Sequence, residues 1–314
     1  MGAAAFYGQT KSEQEAKQVL RDAIALGCTF WDTADVYACG HSEELIGQVL
    51  NEGDNRSKVF IATKFGYDFD RQTKHINFDV RGDAAYVETA LKESLQRFNV
   101  PFIDLYYYHR VDVKIPIEET IRAMEALRKQ GKFKYLGISE CPAATLRKAS
   151  KVAKIDVLQV EYSPWSLDIE SNGVLDACRE LGISIVCFSP LGRGMMTGRY
   201  KTLDDFEEDD FRRMIPRFNK ENFPKNLELL HKFEDLAGKK GCTPGQLCLA
   251  WIMAQGDDFI PIPGTKSIEY IEDNFKSNEV HITAKDDEEI RAVIKTIDVS
   301  GDRAPPQIMQ SLNA

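Results

Sequence analysis

Residues 29–37 read TFWDTADVY. The stretch opens apolar and β-favouring, then breaks into Asp32-Thr33-Ala34-Asp35 before a tyrosine. A buried strand reads this way when it leaves the core and ends in a polar site. Two titratable groups sit at that end, Asp32 and Tyr37. Two later apolar runs behave alike: FIATK ends in Lys64, and IDLYYYH ends in His109. Three consecutive strands that deliver reactive side chains from the same end build the catalytic face of a parallel α/β barrel.

The flanking pattern supports that reading. Ser12–Leu26 places Ala16, Val19, Leu20, Ala23 and Ile24 on one helical face, and Gly27 stops it. The alternation continues with a strand at Thr29–Thr33, a helix at His41–Leu50, a strand at Val59–Lys64, a polar loop containing His75, and a helix at Asp83–Phe98. Next come a strand at Phe102–Tyr107, a helix at Ile117–Lys129, a strand at Tyr135–Ser139, and a helix that Pro142 can start. Beyond it lie a strand at Val157–Tyr162, a helix at Gly173–Leu181 and a strand at Ile183–Phe188. A long loop, Ser189–Pro224, precedes helices at Asn226–Lys239 and Pro244–Gln255, a strand at Phe259–Pro261, and helices at Ser267–Phe275 and Ala284–Thr296. Strands alternating with helices at this spacing imply parallel βαβ units. No linker or low-complexity run divides residues 1–314, so one domain is expected. The competing doubly wound sheet needs a glycine-rich turn after its first strand. None is present, and Gly192-Arg193-Gly194 comes late and matches GxGxxG poorly. Eight helical units but only seven convincing strands are counted.

Composition sets outer limits. The chain has 314 residues, 43% hydrophobic and 28% charged, with a net charge of −9. That is ordinary globular composition, and the absence of a polybasic run argues against nucleic-acid or membrane-surface partners. The seven cysteines are scattered, odd in number and without a CxxC, so neither a disulfide framework nor a zinc site is expected, and no metal site at all. No run has membrane-spanning length, and MGAAAFYGQ does not read as a signal peptide, so a cytoplasmic location is expected.

The strand tips carry the chemistry. Adjacent strands lie roughly 4.8 Å apart, so Asp32, Lys64 and His109 fall within about two strand spacings. Asp32 can supply the counter-charge that a buried Lys64 requires. A cationic Lys64 beside Tyr37 favours the phenolate, which makes the tyrosine a usable proton donor. His109 can orient a substrate carbonyl by a hydrogen bond. No convincing protein nucleophile accompanies this set, so the attacking group is expected to be a hydride from a cofactor. Taken singly, each residue also has an ordinary structural reading, as a cap, a solvated charge or packing.

The ordered motifs TFWDTADVY, ATKFG, DLYYYHR, GISE, LQVEYSPW, FSPLGRG and IPIPGTK resemble the aldo-keto reductase superfamily. Among its members, the chain is most similar to NADP-dependent broad-substrate reductases of fungi, plants and bacteria. HSEELIG, PRFNKEN, GCTPGQLCLAW and SGDR add to the likeness, which extends from residue 1 to about 303. The resemblance implies a (β/α)8 TIM barrel, NADP(H), and a tetrad of Asp32, Tyr37, Lys64 and His109 with Tyr37 as the acid–base residue. It further implies that Ser139 and Gln159 hold the nicotinamide carboxamide and that Phe188 stacks under the ring. Ser189, Pro190, Leu191, Gly192 and Arg193 would then form the loop over the pyrophosphate. Gly264, Thr265, Lys266 and Asn274 would take the adenosine and 2′-phosphate end. Independently of the likeness, barrels commonly bind phosphate at the loops after strands seven and eight, where Arg193 and Lys266 fall.

Three departures stand out. Relatives usually carry a strand before the motif that Met1 begins, plus a hairpin, so the first barrel strand and N-terminal hairpin are expected to be missing from this chain. Ala38 stands where a glycine commonly follows the tyrosine. Tyr270 stands where some relatives place an arginine on the 2′-phosphate. For the substrate pocket, Phe6, Tyr7, Phe65 and Trp165 are the candidate walls, with Tyr67 and His75 nearby, and an aromatic lining suits apolar carbonyl compounds. The expected partner is a small-molecule carbonyl substrate, reduced to an alcohol. The alternatives are a non-catalytic nicotinamide-binding regulatory subunit and a dehydrogenase of pyridoxine-like or aryl alcohols.

Overall fold

The computed structural model describes residues 12–309 and 312. Its centre is a parallel sheet of seven strands that pair in chain order: β1 (Phe30–Asp32), β2 (Phe60–Phe65), β5 (Ile103–Tyr108), β6 (Phe133–Ser139), β7 (Val157–Glu161), β8 (Ser184–Phe188) and β9 (Phe259–Pro261). Sequential parallel pairing excludes the doubly wound alternative, whose strand order reverses part-way. β1 and β9 form the two edges, and no strand among the described residues pairs with the outer side of either. Seven strands is the number read from the sequence, and the arrangement is that of a (β/α)8 barrel.

Side-chain parity divides the sheet into two faces. Phe30, Phe60, Ala62, Leu105, Tyr107 and Val157 meet on the inner face. Their neighbours Trp31, Ile61, Phe65, Tyr106, Tyr108, Leu136, Ile138 and Leu158 point outward, into a continuous core with the helices. Carrying the inner parity to the strand ends leads to Asp32, Lys64, His109, Ser139 and Gln159. The inter-strand register is staggered: Asp32 pairs with Ala62, two residues before Lys64, and Lys64 with Tyr107, two before His109, while Ser139 pairs directly with Gln159. Gly137 makes this interior possible. A Cβ there would lie 2.3 Å from the Tyr107 ring, so only glycine lets that ring cross the barrel.

The helices follow their caps and apolar faces. Glu13–Ala25 starts from a reciprocal Ser12–Glu15 capping box and buries Val19, Leu20 and Ala23. Pro244–Met253 starts from a Thr243–Gln246 box with Pro244 in its first turn. Ala84–Phe98 is capped by Asp83 and ends at Asn99, which is left-handed.

One segment differs from the sequence expectation. The polar loop after Lys64 contains an antiparallel hairpin, β3 (Tyr67–Asp70) and β4 (His75–Val80). Its turn is closed by Asp70, whose Oδ1 accepts the amides of Gln72 (2.7 Å) and Thr73 (3.1 Å). The polar residues between the apolar positions hid the alternation. Tyr67, Phe69, Ile76 and Val80 fold back onto Ala34, Val36 and Tyr37, forming a small core beside the one that holds the barrel. The hairpin therefore braces the segment that carries Tyr37.

Candidate active site

Lys64 is completely buried at the barrel top. Its Nζ donates to the Asp32 carboxylate and to the Thr33 carbonyl at 2.7 Å. The second Asp32 oxygen accepts Gln159 Nε2 at 2.8 Å, which ties β7 across the barrel to β1. Burial opposes the lysine charge, but the adjacent Asp32 outweighs it and holds the ammonium above the ordinary lysine range. That ammonium lies 5.1 Å from the centroid of the Tyr37 ring.

His109 completes the set from β5. Its backbone amide is fixed to the Phe65 carbonyl at 2.8 Å. Its ring stands edge-on to Tyr37 at 5.9 Å and to Tyr67 at 5.2 Å. Burial, then the charges of Arg110 and Lys64, keep it well below the usual imidazole range. His109 is therefore a neutral group, and its buried Nδ1 has no hydrogen-bond partner among the described residues.

The segment that presents Tyr37 is tightly turned. Ala38 (φ 49°), Cys39 (φ 51°) and Gly40 (φ 88°) are consecutive left-handed residues. A non-glycine residue in that region costs roughly 1–2 kcal/mol, so Ala38 is strained there. Compensation comes from a buried polar network beneath it. The Val36 amide donates to Asp35 Oδ1 (2.6 Å), Thr33 and Ser42 hydroxyls meet at 2.8 Å, and Thr63 donates to Glu43 (2.6 Å), which Arg97 pairs. Burial, reinforced by Glu43, pushes Asp35 well above the carboxylate range. Asp35 is thus biased toward its neutral form, whereas Asp32 three residues earlier is ion-paired.

The residues assigned to a dinucleotide lie around the tips of β6 to β9. Ser139 Oγ accepts from Arg110 Nη1 at 3.0 Å, and the same guanidinium donates to the His109 carbonyl at 2.6 Å. Phe188 is half-buried at the end of β8. Beyond it Ser189, Gly192, Arg193 and Gly194 all have positive φ, and Cys248 donates to the Pro190 carbonyl, with Leu191 buried between. Turns that mix right- and left-handed residues make concave rows of amides suited to anions. At the β9 end, Thr265 Oγ1 accepts the Ser267 amide at 3.2 Å, and no heavy atom lies within 4 Å of a Cβ built on Gly264. Asn274 lies on the helix Ile268–Phe275. Burial lowers Lys266 despite the opposing charges of Glu207 and Asp210.

The pocket expectations fare differently. Phe6 and Tyr7 lie outside the described residues. Phe65 has the outward parity and is fully buried, stacked on Tyr106 and Tyr108 at 5.1 Å each, so it belongs to the core and not to a pocket wall. Lys64 takes the inward position, and adjacent strand residues cannot both point inward. Trp165 is only 3% exposed and packs edge-on against Phe218. A Cβ on Gly192 would come within 3.0 Å of its ring, so Trp165 braces the 189–194 turn. His75 is exposed at the start of β4. Tyr67 stands edge-on against His109.

Two groups were not singled out from the sequence. One is Arg199, which donates to the Tyr270 hydroxyl at 2.5 Å and stacks on its ring. Arg199 and Tyr270 are 71 residues apart, and no pattern links them. The other is an ionic cluster of Glu140, Glu161 and Arg303 at the tips of β6 and β7. Among the described residues no group of three or more His, Cys, Asp or Glu is arranged to hold a metal ion, and no helix is long and apolar enough to cross a membrane.

A family model described as the aldo/keto reductase family matches residues 1–295. The Schizosaccharomyces pombe aldo-keto reductase yakc, named for NADP(+), is 48% identical over 98% of this chain and 90% of its own length. The aldo-keto reductase str7 of Strobilurus tenacellus is also 48% identical, over 96% of this chain and 88% of its own length. Among solved structures, the glycerol dehydrogenase of Gluconobacter oxydans superimposes with a TM-score of 0.86 at 26% identity, covering 96% of this chain and 91% of that one. A thermostable aldo-keto reductase in complex with the inhibitor epalrestat gives 0.73 at 25% identity, covering 93% and 92%.

Proposed function

Because this chain belongs to the aldo/keto reductase family, we propose that it is an NADP(H)-dependent reductase of aldehydes or ketones. The observation that carries this reading is the buried Asp32–Lys64 pair beneath Tyr37, with a neutral His109 beside the phenol ring. The residues present fit the cofactor. A left-handed turn with Arg193 follows β8, and a partly buried Lys266 follows β9, where two anionic groups of a dinucleotide would be received. Ser139 would give its hydroxyl proton to the carboxamide, since Arg110 already donates to its oxygen. Gln159, whose Nε2 holds Asp32, would offer its carbonyl oxygen. When bound, the dinucleotide supplies the hydride.

Tyr37 gives its phenolic proton to the carbonyl oxygen of the substrate. Lys64 stabilises the phenolate that remains, and Asp32 keeps the lysine charged and aimed. His109, held neutral, donates a hydrogen bond to the same oxygen and fixes which face of the carbonyl meets the hydride. Tyr67 of the hairpin stands against His109, and an aromatic wall there suits an apolar substrate.

A second reading runs the same chemistry toward the carbonyl. Its support is the likeness to a glycerol dehydrogenase, and rates measured in both directions at matched NADPH and NADP+ separate the two. The test of the acid–base assignment is Tyr37→Phe. Turnover of NADPH with an aromatic aldehyde is expected to fall by about 10²–10⁴ while NADPH still binds. Retained turnover would overturn it.

A further inference from the structure

A cavity of about 380 Å³ opens between the β3–β4 hairpin and the helix Ala84–Phe98, apart from the reactive set. That size falls in the range of about 300–1,000 Å³ typical of small-ligand sites. Asp35 lines it and is 1% exposed. One of its oxygens accepts the Val36 amide at 2.6 Å. The other accepts no hydrogen bond among the described residues. Lys64 and Arg97 act on Asp35 from a distance, but each is committed elsewhere: Lys64 to Asp32, and Arg97 to Glu43, Glu93 and Ser94. Buried polar groups are ordinarily satisfied, so a buried carboxyl with one oxygen unused, on the wall of a cavity, points to a ligand.

The charges around the cavity leave it short of a cation. Glu43, from the helix His41–Leu50, opposes ionisation of Asp35 and is itself taken by Thr63 and Arg97. The guanidinium groups at the rim are occupied as well: Arg71 pairs with Glu44, and Arg81 with Asp83 at 3.1 Å. Asp68, on the hairpin wall, has no ion-pair partner among the described residues. Glu93, on the helix wall, is exposed and shares Arg97 at 3.3 Å. Burial pushes the Tyr86 and Tyr106 phenols up, so both remain neutral. The rest of the wall is apolar, with Phe69, Ala90 and the Tyr86 ring. The acids here do not form a metal-holding group, which leaves an organic cation as the matching charge.

We propose that this cavity binds a small organic cation, a primary ammonium on a short apolar stem, with the ammonium on Asp35. The ammonium donates to the unused Asp35 oxygen, and the stem lies along Phe69, Ala90 and the Tyr86 ring. As the pair forms, the Asp35 carboxyl gives its proton to the buffer, leaving a carboxylate against an ammonium, and no other bond changes. In the protein alone, burial and then Glu43 hold Asp35 toward its protonated form, so binding and proton release are linked. Asp35 stands two residues before Tyr37, and its amide donates to the Lys64 carbonyl at 3.0 Å. The cation therefore rests against the segment that presents the phenol, outside the site proposed for substrate.

The experiment is a calorimetric titration of the full-length chain with n-butylammonium chloride at neutral pH and constant ionic strength. Two buffers of different protonation enthalpy are used, neither of them a primary amine. A single saturable site is expected, with about one proton released as it fills. n-Butanol, which has the stem without the charge, should bind about tenfold more weakly or worse, and so should n-butylammonium to Asp35→Asn, as for truncating one partner of a buried charge pair. The asparagine keeps an acceptor for the Val36 amide. An Asp35→Asn protein with wild-type affinity would overturn the assignment. So would equal binding of the alcohol, binding to wild type without proton release, or no saturable binding at all. If Asp35→Asn does not fold, Ala85→Phe decides, because it builds into the cavity from an exposed wall position and leaves Asp35 intact: lost binding supports the proposal, and retained binding refutes it. No dinucleotide or carbonyl compound enters the measurement, so a failure of the reductase reading leaves this result unaffected.

Discussion

Replacing Lys64 with Met tests the electrostatic core of the site. The ammonium lies 5.1 Å from the Tyr37 ring centroid and is fully buried, so bulk solvent does not screen it. Between unit charges at that distance, an effective dielectric of about 20 gives roughly 3 kcal/mol of attraction for a phenolate. The substrate-bound ground state carries a neutral phenol, so this attraction develops only as the proton leaves. It therefore belongs to the barrier and not to binding. About 3 kcal/mol corresponds to a loss of roughly 200-fold in kcat. The substitution also takes the ammonium from the buried Asp32 carboxylate, which destabilises the fold by about 3–5 kcal/mol. Thermal unfolding must accompany the kinetics, and the double variant Asp32→Asn/Lys64→Met should recover stability but not turnover. The assay is single-turnover oxidation of NADPH with an aromatic aldehyde at saturating substrate. A folded Lys64→Met protein that keeps kcat within about fivefold of wild type would contradict a mechanism in which Lys64 stabilises the Tyr37 phenolate.

Other consequences can be measured separately. Gly137→Ala pushes a methyl group to 2.3 Å from the buried Tyr107 ring, and overpacking of this kind is expected to lower stability by about 1–3 kcal/mol in denaturant titrations. His109 stays neutral in the native state below the pH at which the unfolded chain protonates its histidine. The unfolded state then binds the extra proton, so stability should fall as pH drops below about 6.5, by up to roughly 1.4 kcal/mol per pH unit. The slope difference between wild type and His109→Gln isolates that contribution, and equal slopes would contradict it. Lys266→Met should raise the KM for NADPH and leave that for NADH nearly unchanged. An equal effect on both cofactors would remove Lys266 from the 2′-phosphate.

Much of this molecule is legible from short windows of its chain. Helix limits at Ile117–Lys129 and His41–Leu50 coincide with the apolar periodicity, since one buried face is a local property of the chain. The inward set Asp32, Lys64 and His109 follows from parity alone: each residue is an even number of positions from an inner-face apolar residue on its own strand run. Local reading failed where neighbours in space decided. Phe65 adjoins Lys64 in sequence but stacks between Tyr106 and Tyr108 on the opposite face. The β3–β4 hairpin gains its stability from Ala34, Val36 and Tyr37, which no window over 67–80 contains.

The sequence by itself determined the alternation of strands and helices, the choice of a barrel over an open sheet, and which polar side chains stand at the strand tips. Those properties rest on hydrogen bonds and burial patterns that repeat over a few residues. Only the tertiary structure decided which polar groups meet the charged ones: Arg303 on Glu140, Gln159 on Asp32, Arg199 on Tyr270. Pairs like these join positions 71–163 residues apart, and a charge in a low-dielectric interior is governed by whatever lies within a few ångströms, however far away it is along the chain.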